Sequence, residues 1–204
     1  MANRLLKLRA VQLISWNVNG ISNKAKRHKT HINLLESAKL RQGWVGQVFS
    51  APGNGASRGV STLISKRMSF QLIKQIADKD GRYLILFCLL QNEKCVLANI
   101  YAPNMGQSVF LSKLNLILAE FADYPILMGG DLNLVSNAVV DRSGRPLPSD
   151  GTLSRALKEI QDSLALTDVW RMVNPHTREY TFYSSAHSSY SRIDYILFSQ
   201  SMEI

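Results

Sequence analysis

Asp131 and Asn133 stand two residues apart behind a pair of glycines, in the run Gly129-Gly130-Asp131-Leu132-Asn133, directly after the apolar segment Pro125–Met128. In an extended chain, residues two apart point to the same side, so a carboxylate and an amide are presented together. A carboxylate so placed can deprotonate or orient a water while the amide contacts a phosphoryl oxygen. The glycines let the backbone turn sharply out of a buried strand. Gly, Asp and Asn are also turn formers, so the run alone leaves an Asx turn and a phosphate-hydrolysing site both open.

Three further segments share this layout of a strand-like run ending in polar side chains. They are Ile14-Ser15-Trp16-Asn17-Val18-Asn19-Gly20, Asn99-Ile100-Tyr101-Ala102-Pro103-Asn104 and Ser191-Arg192-Ile193-Asp194-Tyr195-Ile196. Asn17 and Asn19 repeat the two-residue spacing and alone also fit a turn. Tyr101 alone also fits a packed strand-end aromatic. Asp194 interrupts an apolar strand, which costs stability unless the carboxylate is paired. Amides, carboxylates and a tyrosine at strand ends suit phosphate hydrolysis, because strands hold them rigidly and loops expose them.

The elements that must position these groups follow from periodicity. Strands are read at Val11–Trp16, Trp44–Phe49, Val60–Ser65, Phe70–Ala77, Arg82–Leu90, Cys95–Tyr101, Pro125–Met128 and Ile193–Phe198. Asp80-Gly81 is a hairpin turn signal. Ser108 is placed to cap a helix whose apolar face is Phe110, Leu114, Ile117 and Phe121. Leu153, Ala156, Leu157, Ile160 and Leu164 mark a second amphipathic helix. A looser helical spacing runs from Lys24 to Leu40. Helices falling between groups of strands predict two sheets with helices outside them. No linker-like stretch divides residues 1–204, so one domain is expected, with residues 1–10 as an N-terminal extension.

Apolar residues form 46% of the 204-residue chain, which excludes a disordered chain. Lys and Arg number 24 against 15 Asp and Glu, a net charge of +9. That balance favours a polyanionic partner, nucleic acid foremost, or else marks a merely basic protein. Cys88 and Cys95 sit in apolar strand-like segments and read as buried free thiols of a reducing compartment, with a disulfide as the alternative. The longest apolar run, Tyr83–Leu90, falls far short of the ~20 residues of a membrane span. A soluble, intracellular and nuclear protein without membrane contact is expected, and no protein partner is evident. Lys24, Lys26, Arg27 and Lys29 fit a solvated helix start, a nuclear import signal or a phosphate-backbone contact. Arg142 and Arg145 lie on a loop after Asp131 that could also meet DNA.

In this order the four segments resemble the endonuclease/exonuclease/phosphatase superfamily, and most of all the apurinic-site-nuclease-like endonuclease domain of LINE-type (non-LTR) retrotransposons. Tyr180-Thr181-Phe182-Tyr183-Ser184 and Thr167-Asp168-Val169-Trp170-Arg171 add to the resemblance, which runs from about Val11 onward. It implies an α/β fold, a four-layered sandwich of two mixed β-sheets flanked by helices. It implies hydrolysis of a DNA phosphodiester with magnesium, or manganese in its place. By the same resemblance Asn17 belongs to the metal-proximal network, with Asn19 beside it. Tyr101 contacts the scissile phosphate, Asp131 activates or orients water, and Asn133 binds the phosphate as charge grows. Thr181 supports the site from the next strand, and Asp194 holds a histidine. Magnesium suits these oxygen donors.

The sequence departs from that pattern twice. The family's Gln-Glu-Thr strand, whose glutamate is the principal metal ligand, has no counterpart, and too few residues separate Gly20 from Trp44 for a helix, its loops and a strand of ~5–6 residues. Glu36 is a candidate metal ligand or a solvated helix residue. The family's closing Ser-Asp-His is also absent from the sequence, whose histidines are His28, His31, His176 and His187. The expected fold therefore lacks one internal strand and the last strand, with catalysis impaired or absent. Two functions follow: a magnesium-dependent endonuclease that nicks DNA for reverse transcription, or a catalytically dead basic fragment that at most binds nucleic acid. A superfamily cousin acting on phosphoinositides fits neither the wording nor the charge. Open sheet edges expose core, so a broad, low thermal transition is expected. A melt as sharp as that of an intact family member would count against it.

Overall fold

The computed structural model describes residues 6–7, 46–53, 59–199 and 202–203. In chain order the elements are β1 Leu6–Lys7, β2 Gly46–Pro52, β3 Gly59–Ser65, β4 Phe70–Ala77, β5 Tyr83–Leu90, β6 Glu93–Tyr101 and α1 Gln107–Ala119. There follow β7 Ile126–Asp131, α2 Ala138–Asp141, α3 Asp150–Ser163, β8 Leu166–Asp168, α4 Val169–Val173, β9 Phe182–Ser184, β10 Ser189–Ser191, β11 Asp194–Ser199 and β12 Met202–Glu203.

A six-stranded sheet in the order β4-β5-β6-β7-β11-β8 is the centre of the fold. β6 and β7 are parallel, joined through α1, and the other neighbours are antiparallel. On one face α1 and α3 close a core in which Leu111, Leu114, Leu118, Leu157 and Ile160 meet Ile85, Val96, Ile100, Ile126 and Met128. On the other face the β2-β3 hairpin brings Ala51, Val60 and Ile64 onto Leu84, Leu86, Cys88, Cys95 and Leu97. β5 is thus covered on both sides, which is why its apolar run is unbroken rather than alternating. The Asn99 amide donates to Ser61 O at 2.9 Å and ties the hairpin to the sheet. The architecture is the expected α/β one, mixed sheets with flanking helices.

Two readings change in detail. α1 starts at Gln107 behind Gly106, whose φ of 73° is the left-handed region, so Ser108 lies inside the helix and not at its cap. The fully buried face of α1 is Leu111, Leu114 and Leu118, while Phe110 and Ile117 flank it, Phe110 lying 6.4 Å from the Tyr83 ring. The apolar stripe is wider than one helical row, and the row nearest the sheet wins the interior. Cys88 and Cys95 are buried free thiols, facing each other across β5 and β6 with their Sγ atoms 3.8 Å apart. Among the described residues no helix is long and apolar enough to cross a membrane. The strand read at Val11–Trp16 and the helix read from Lys24 lie outside the described residues.

Gly130 is the tightest point of the sheet. Its φ is 129°, and a Cβ built there would lie 2.0 Å from the Ile100 carbonyl oxygen. Gly130→Ala combines backbone strain with main-chain overlap, so a loss of about 3 kcal/mol or more is expected in urea unfolding. A loss under about 1 kcal/mol, ordinary for a point change, would show that β7 can move away from β6.

Candidate functional site

Three of the singled-out side chains lie side by side because of strand register. Tyr101 on β6 is the partner of Asp131 on β7, and Asp131 is the partner of Asp194 on β11. Partners across neighbouring strands share a face of the sheet. The main-chain ladder continues past the strand ends, with Ala102 N–H donating to Asp131 O and Leu132 N–H to Ile193 O, both at 2.8 Å. Asp131 is 4% exposed. Tyr101 and Asp194 are half-buried.

Asn133 departs from the extended geometry the spacing suggested. Its φ is 51°, and its backbone N–H donates to Asp131 Oδ1 at 2.8 Å. The run is therefore an Asx-type turn and part of the strand-end cluster at once, so the two readings of this segment are not alternatives. The Asn133 Nδ2 donates to Ala102 O at 2.7 Å, which holds the amide against the loop that follows Tyr101. The same carbonyl accepts Arg82 Nη1 at 3.4 Å, and the Arg82 guanidinium lies 5.2 Å from the Tyr101 ring centroid.

Thr181 precedes β9 and is exposed. Its Oγ1 accepts the backbone N–H groups of Ile193 and Asp194 at 3.1 and 3.2 Å, so it supports the start of β11. Burial raises the Asp194 carboxyl above its ordinary range, and a hydrogen bond with the Thr181 side chain partly offsets the rise. Burial therefore disfavours the ionised carboxylate here.

The basic residues separate. Arg142 is committed inward: Nε and Nη2 grip Asp150 at 3.1 and 2.8 Å, and Nη1 reaches Ser191 Oγ at 3.0 Å. Its side chain is 12% exposed, so it braces a loop and is not a free cation for DNA. Arg145 is exposed. Asn17, Asn19, Glu36, Lys24, Lys26, Arg27 and Lys29 lie outside the described residues. His187 sits exposed in the β9–β10 turn, and His176 is also exposed.

The reading from sequence missed the ionic brace behind the site. Asp141, fully buried, accepts Arg192 Nε at 2.7 Å and Nη2 at 3.3 Å, Arg171 Nη2, Ser136 Oγ at 3.0 Å and the Asn137 N–H at 3.0 Å. Arg192 Nη2 also reaches Asp168 Oδ2 at 2.7 Å, and the guanidinium lies 4.5 Å from the Tyr195 ring centroid. The signal was available in Ser191-Arg192-Ile193 and in Thr167-Asp168, where charges sit beside residues that must be buried. Gln107 was also missed; it bridges Asn104 O and Asn133 O. Among the described residues no three His, Cys, Asp or Glu side chains group as metal ligands do. What the strand ends offer is oxygen: the carboxylates of Asp131 and Asp194 and the amide of Asn133. Oxygen-only donors fit a hard cation that fills its remaining shell with phosphate and water.

Residues 14–204 match the endonuclease/exonuclease/phosphatase family. The chain is 29% identical over 197 residues to a protein of Xenopus laevis, the transposon TX1 uncharacterized 149 kDa protein. The match covers 94% of this chain and 15% of that protein, so the chain spans about a seventh of the relative's length. Among solved structures, the AP endonuclease LMAP from Leishmania major superposes with a TM-score of 0.67 at 17% identity, covering 84% of this chain and 68% of that one. An AP endonuclease from Archaeoglobus fulgidus gives 0.59 at 20% identity over 83% and 73%. The catalytic domain of Xenopus laevis APE2 gives 0.58 at 15% identity over 75% and 66%. These structural likenesses establish the fold.

The brace generates a test. Burial alone would raise the Asp141 carboxyl, but hydrogen bonding and charge from Arg192, the Asn137 N–H and Arg171 together hold it below the usual carboxylate range. A depressed folded value gives stability that is present above the unfolded value near 4 and is lost as pH falls through the folded one. Asp141→Asn leaves buried Arg192 short of its anion and is expected to cost ~3–5 kcal/mol in urea unfolding at neutral pH. It should also flatten the acid side of the stability profile, and a variant whose profile keeps the wild-type slope below pH 4 would remove Asp141 from that role.

Proposed function

This chain belongs to the endonuclease/exonuclease/phosphatase family, and on that footing we propose that it is the DNA-nicking endonuclease domain of a retrotransposon-type protein. The observation that carries the reading is the register: Tyr101, Asp131 and Asp194 occupy partner positions on three consecutive strands, with Asn133 at the turn beyond. A phosphodiester laid across these strand ends would meet the Tyr101 phenol, the Asp131 carboxylate and the Asn133 amide, with Asp194 alongside Asp131.

In this reading the Asp131 carboxylate orients a water and takes its proton as the oxygen attacks phosphorus. The P–O bond to the departing sugar oxygen breaks on the opposite side, and that oxygen takes a proton from solvent to leave as a hydroxyl. The Asn133 amide and the Tyr101 hydroxyl donate to the phosphoryl oxygens as negative charge builds there. Donors already in place when charge develops contribute most to such a step. The half-buried Asp194, seated by Thr181, orients a neighbouring group rather than touching phosphate. Magnesium would supply charge at the phosphate; Asn17 and Asn19 are its candidate ligands by the sequence resemblance, and Glu36 is a weaker one that reads equally as a solvated helix residue. The net charge of +9 supports a nucleic-acid substrate, with Arg145, Lys24, Lys26, Arg27 and Lys29 as candidate contacts to the phosphate backbone.

Relaxation of supercoiled plasmid tests the proposal. The wild-type chain is expected to nick in magnesium more slowly than a family member that carries the Gln-Glu-Thr and Ser-Asp-His segments, and Asp131→Ala to lower its rate by a further ~10²–10⁴-fold. Asn133→Ala should cost ~10²–10³-fold. Plasmid binding without any wild-type nicking would replace this reading with that of a basic DNA-binding fragment.

A further inference from the structure

Gln107 is the first residue of α1, and it is 8% exposed. It continues the buried row of Leu111, Leu114 and Leu118, where an amide is out of place unless its hydrogens find acceptors. They do: Nε2 donates to Asn104 O at 3.0 Å and to Asn133 O at 3.1 Å. An amide nitrogen carries two hydrogens, and here each goes to the main chain of a different loop. One loop follows Tyr101, and the other follows Asp131.

We propose that Gln107 is a positioning residue that clamps these two loops together and so fixes Asn133 against Asp131 and Tyr101 for phosphodiester hydrolysis. The inference rests on the reading of the site given above. Asn133 has particular need of a clamp. Its φ of 51° is a conformation that a non-glycine residue keeps only where the surroundings impose it. Three of its groups are held from three directions: the backbone N–H by Asp131 Oδ1, Nδ2 by Ala102 O, and the carbonyl by Gln107. The backbone prepares Gln107 for the task. Gly106 turns in the left-handed region and its carbonyl accepts Phe110 N–H at 3.0 Å, so the helix begins with Gln107 facing inward. Gln107 acts through the groups it holds.

Two variants of the full chain separate this role from simple packing. Gln107→Met keeps the length of the side chain and removes both donors. Gln107→Glu keeps the shape and, when ionised, turns an acceptor toward two carbonyls; protonation returns one hydrogen. Hydrogen exchange at the Asn133 backbone amide should speed up by about tenfold or more in both, while exchange at Gly129 inside β7 stays at the wild-type rate. In plasmid nicking with magnesium, kcat should fall by roughly 10–100-fold, with KM for plasmid changed by less than about threefold. The rate of Gln107→Glu relative to wild type should rise as pH falls. Wild-type exchange at Asn133 in both variants overturns the clamp, whether or not the chain nicks. Faster exchange throughout β7 also overturns it, because it marks general loosening. If the wild-type chain does not nick, the functional reading fails by itself, and the exchange data still decide whether Gln107 holds the two loops.

Discussion

The site depends on the register of one strand. β7 lies between a parallel neighbour and an antiparallel one, and only one pairing sets Asp131 opposite both Tyr101 and Asp194. A slip of one residue on either side would carry Asp131 to the other face of the sheet. Several features oppose the slip at once. Met128 and Ile126 are fully buried in the helix-side core and would have to exchange places with Leu127. Gly130 passes the Ile100 carbonyl with no room for a side chain. At the far end of the strand the Ile126 N–H donates to the buried Ser199 hydroxyl at 2.9 Å.

Behind that sheet a second constraint fixes the approach of β11. Arg192 is held twice by Asp141, since its own N–H donates to the Asp141 carbonyl at 2.8 Å while its guanidinium engages the carboxylate. Asp141 in turn collects Arg171 from α4 and the Ser136–Asn137 loop from beyond β7. Tyr195 reaches the same loop, accepting from Ser136 N–H at 2.8 Å with its hydroxyl, and burial pushes that phenol up so that it stays protonated. Taking several charges out of water gains little net stability over apolar packing. What the brace does is tie the start of β11, α4 and the Ser136–Asn137 loop to one buried carboxylate. Asp194 begins β11 two residues after Arg192, so the position of one of the two strand-end carboxylates follows from this brace.

How much of this was legible in the sequence depended on whether the information was local. Phe70–Ala77 was read with the bounds it has, and Tyr83–Leu90 was recognisable as a strand because its residues are both apolar and β-prone. β8, β9 and β10 were not, since strands of three residues are made by a partner's ladder and leave no periodicity of their own. The same division runs through the site. Asp131 was identifiable from the glycines before it, and its neighbours Tyr101 and Asp194 from their strand-end positions. The positive φ of Asn133 was not, because the tie to Ala102 and the bridge from Gln107 join residues far apart in sequence. Arg142 looked like a surface cation for want of any local sign that Asp150 would fold back on it.

The cluster therefore has two halves with different mechanical origins. Tyr101, Asp131 and Asp194 are positioned by sheet hydrogen bonds that the fold makes in any case. Asn133 lies on a loop, where each group must be held by a bond of its own, and a bond of that kind contributes only ~1 kcal/mol. Precision on the loop side comes from convergence on a few main-chain atoms. Ala102 O accepts from both Asn133 and Arg82, and Gln107 donates to both loops. Through Arg82 the same joint reaches the turn before β5, where Asp78 Oδ2 accepts the N–H groups of Asp80 and Arg82 at 3.2 and 2.9 Å. Loosening any member shifts its partners, so in this arrangement the geometry at Asn133 should be lost well before the fold is, while Asp131, anchored in the sheet, stays where the strands put it.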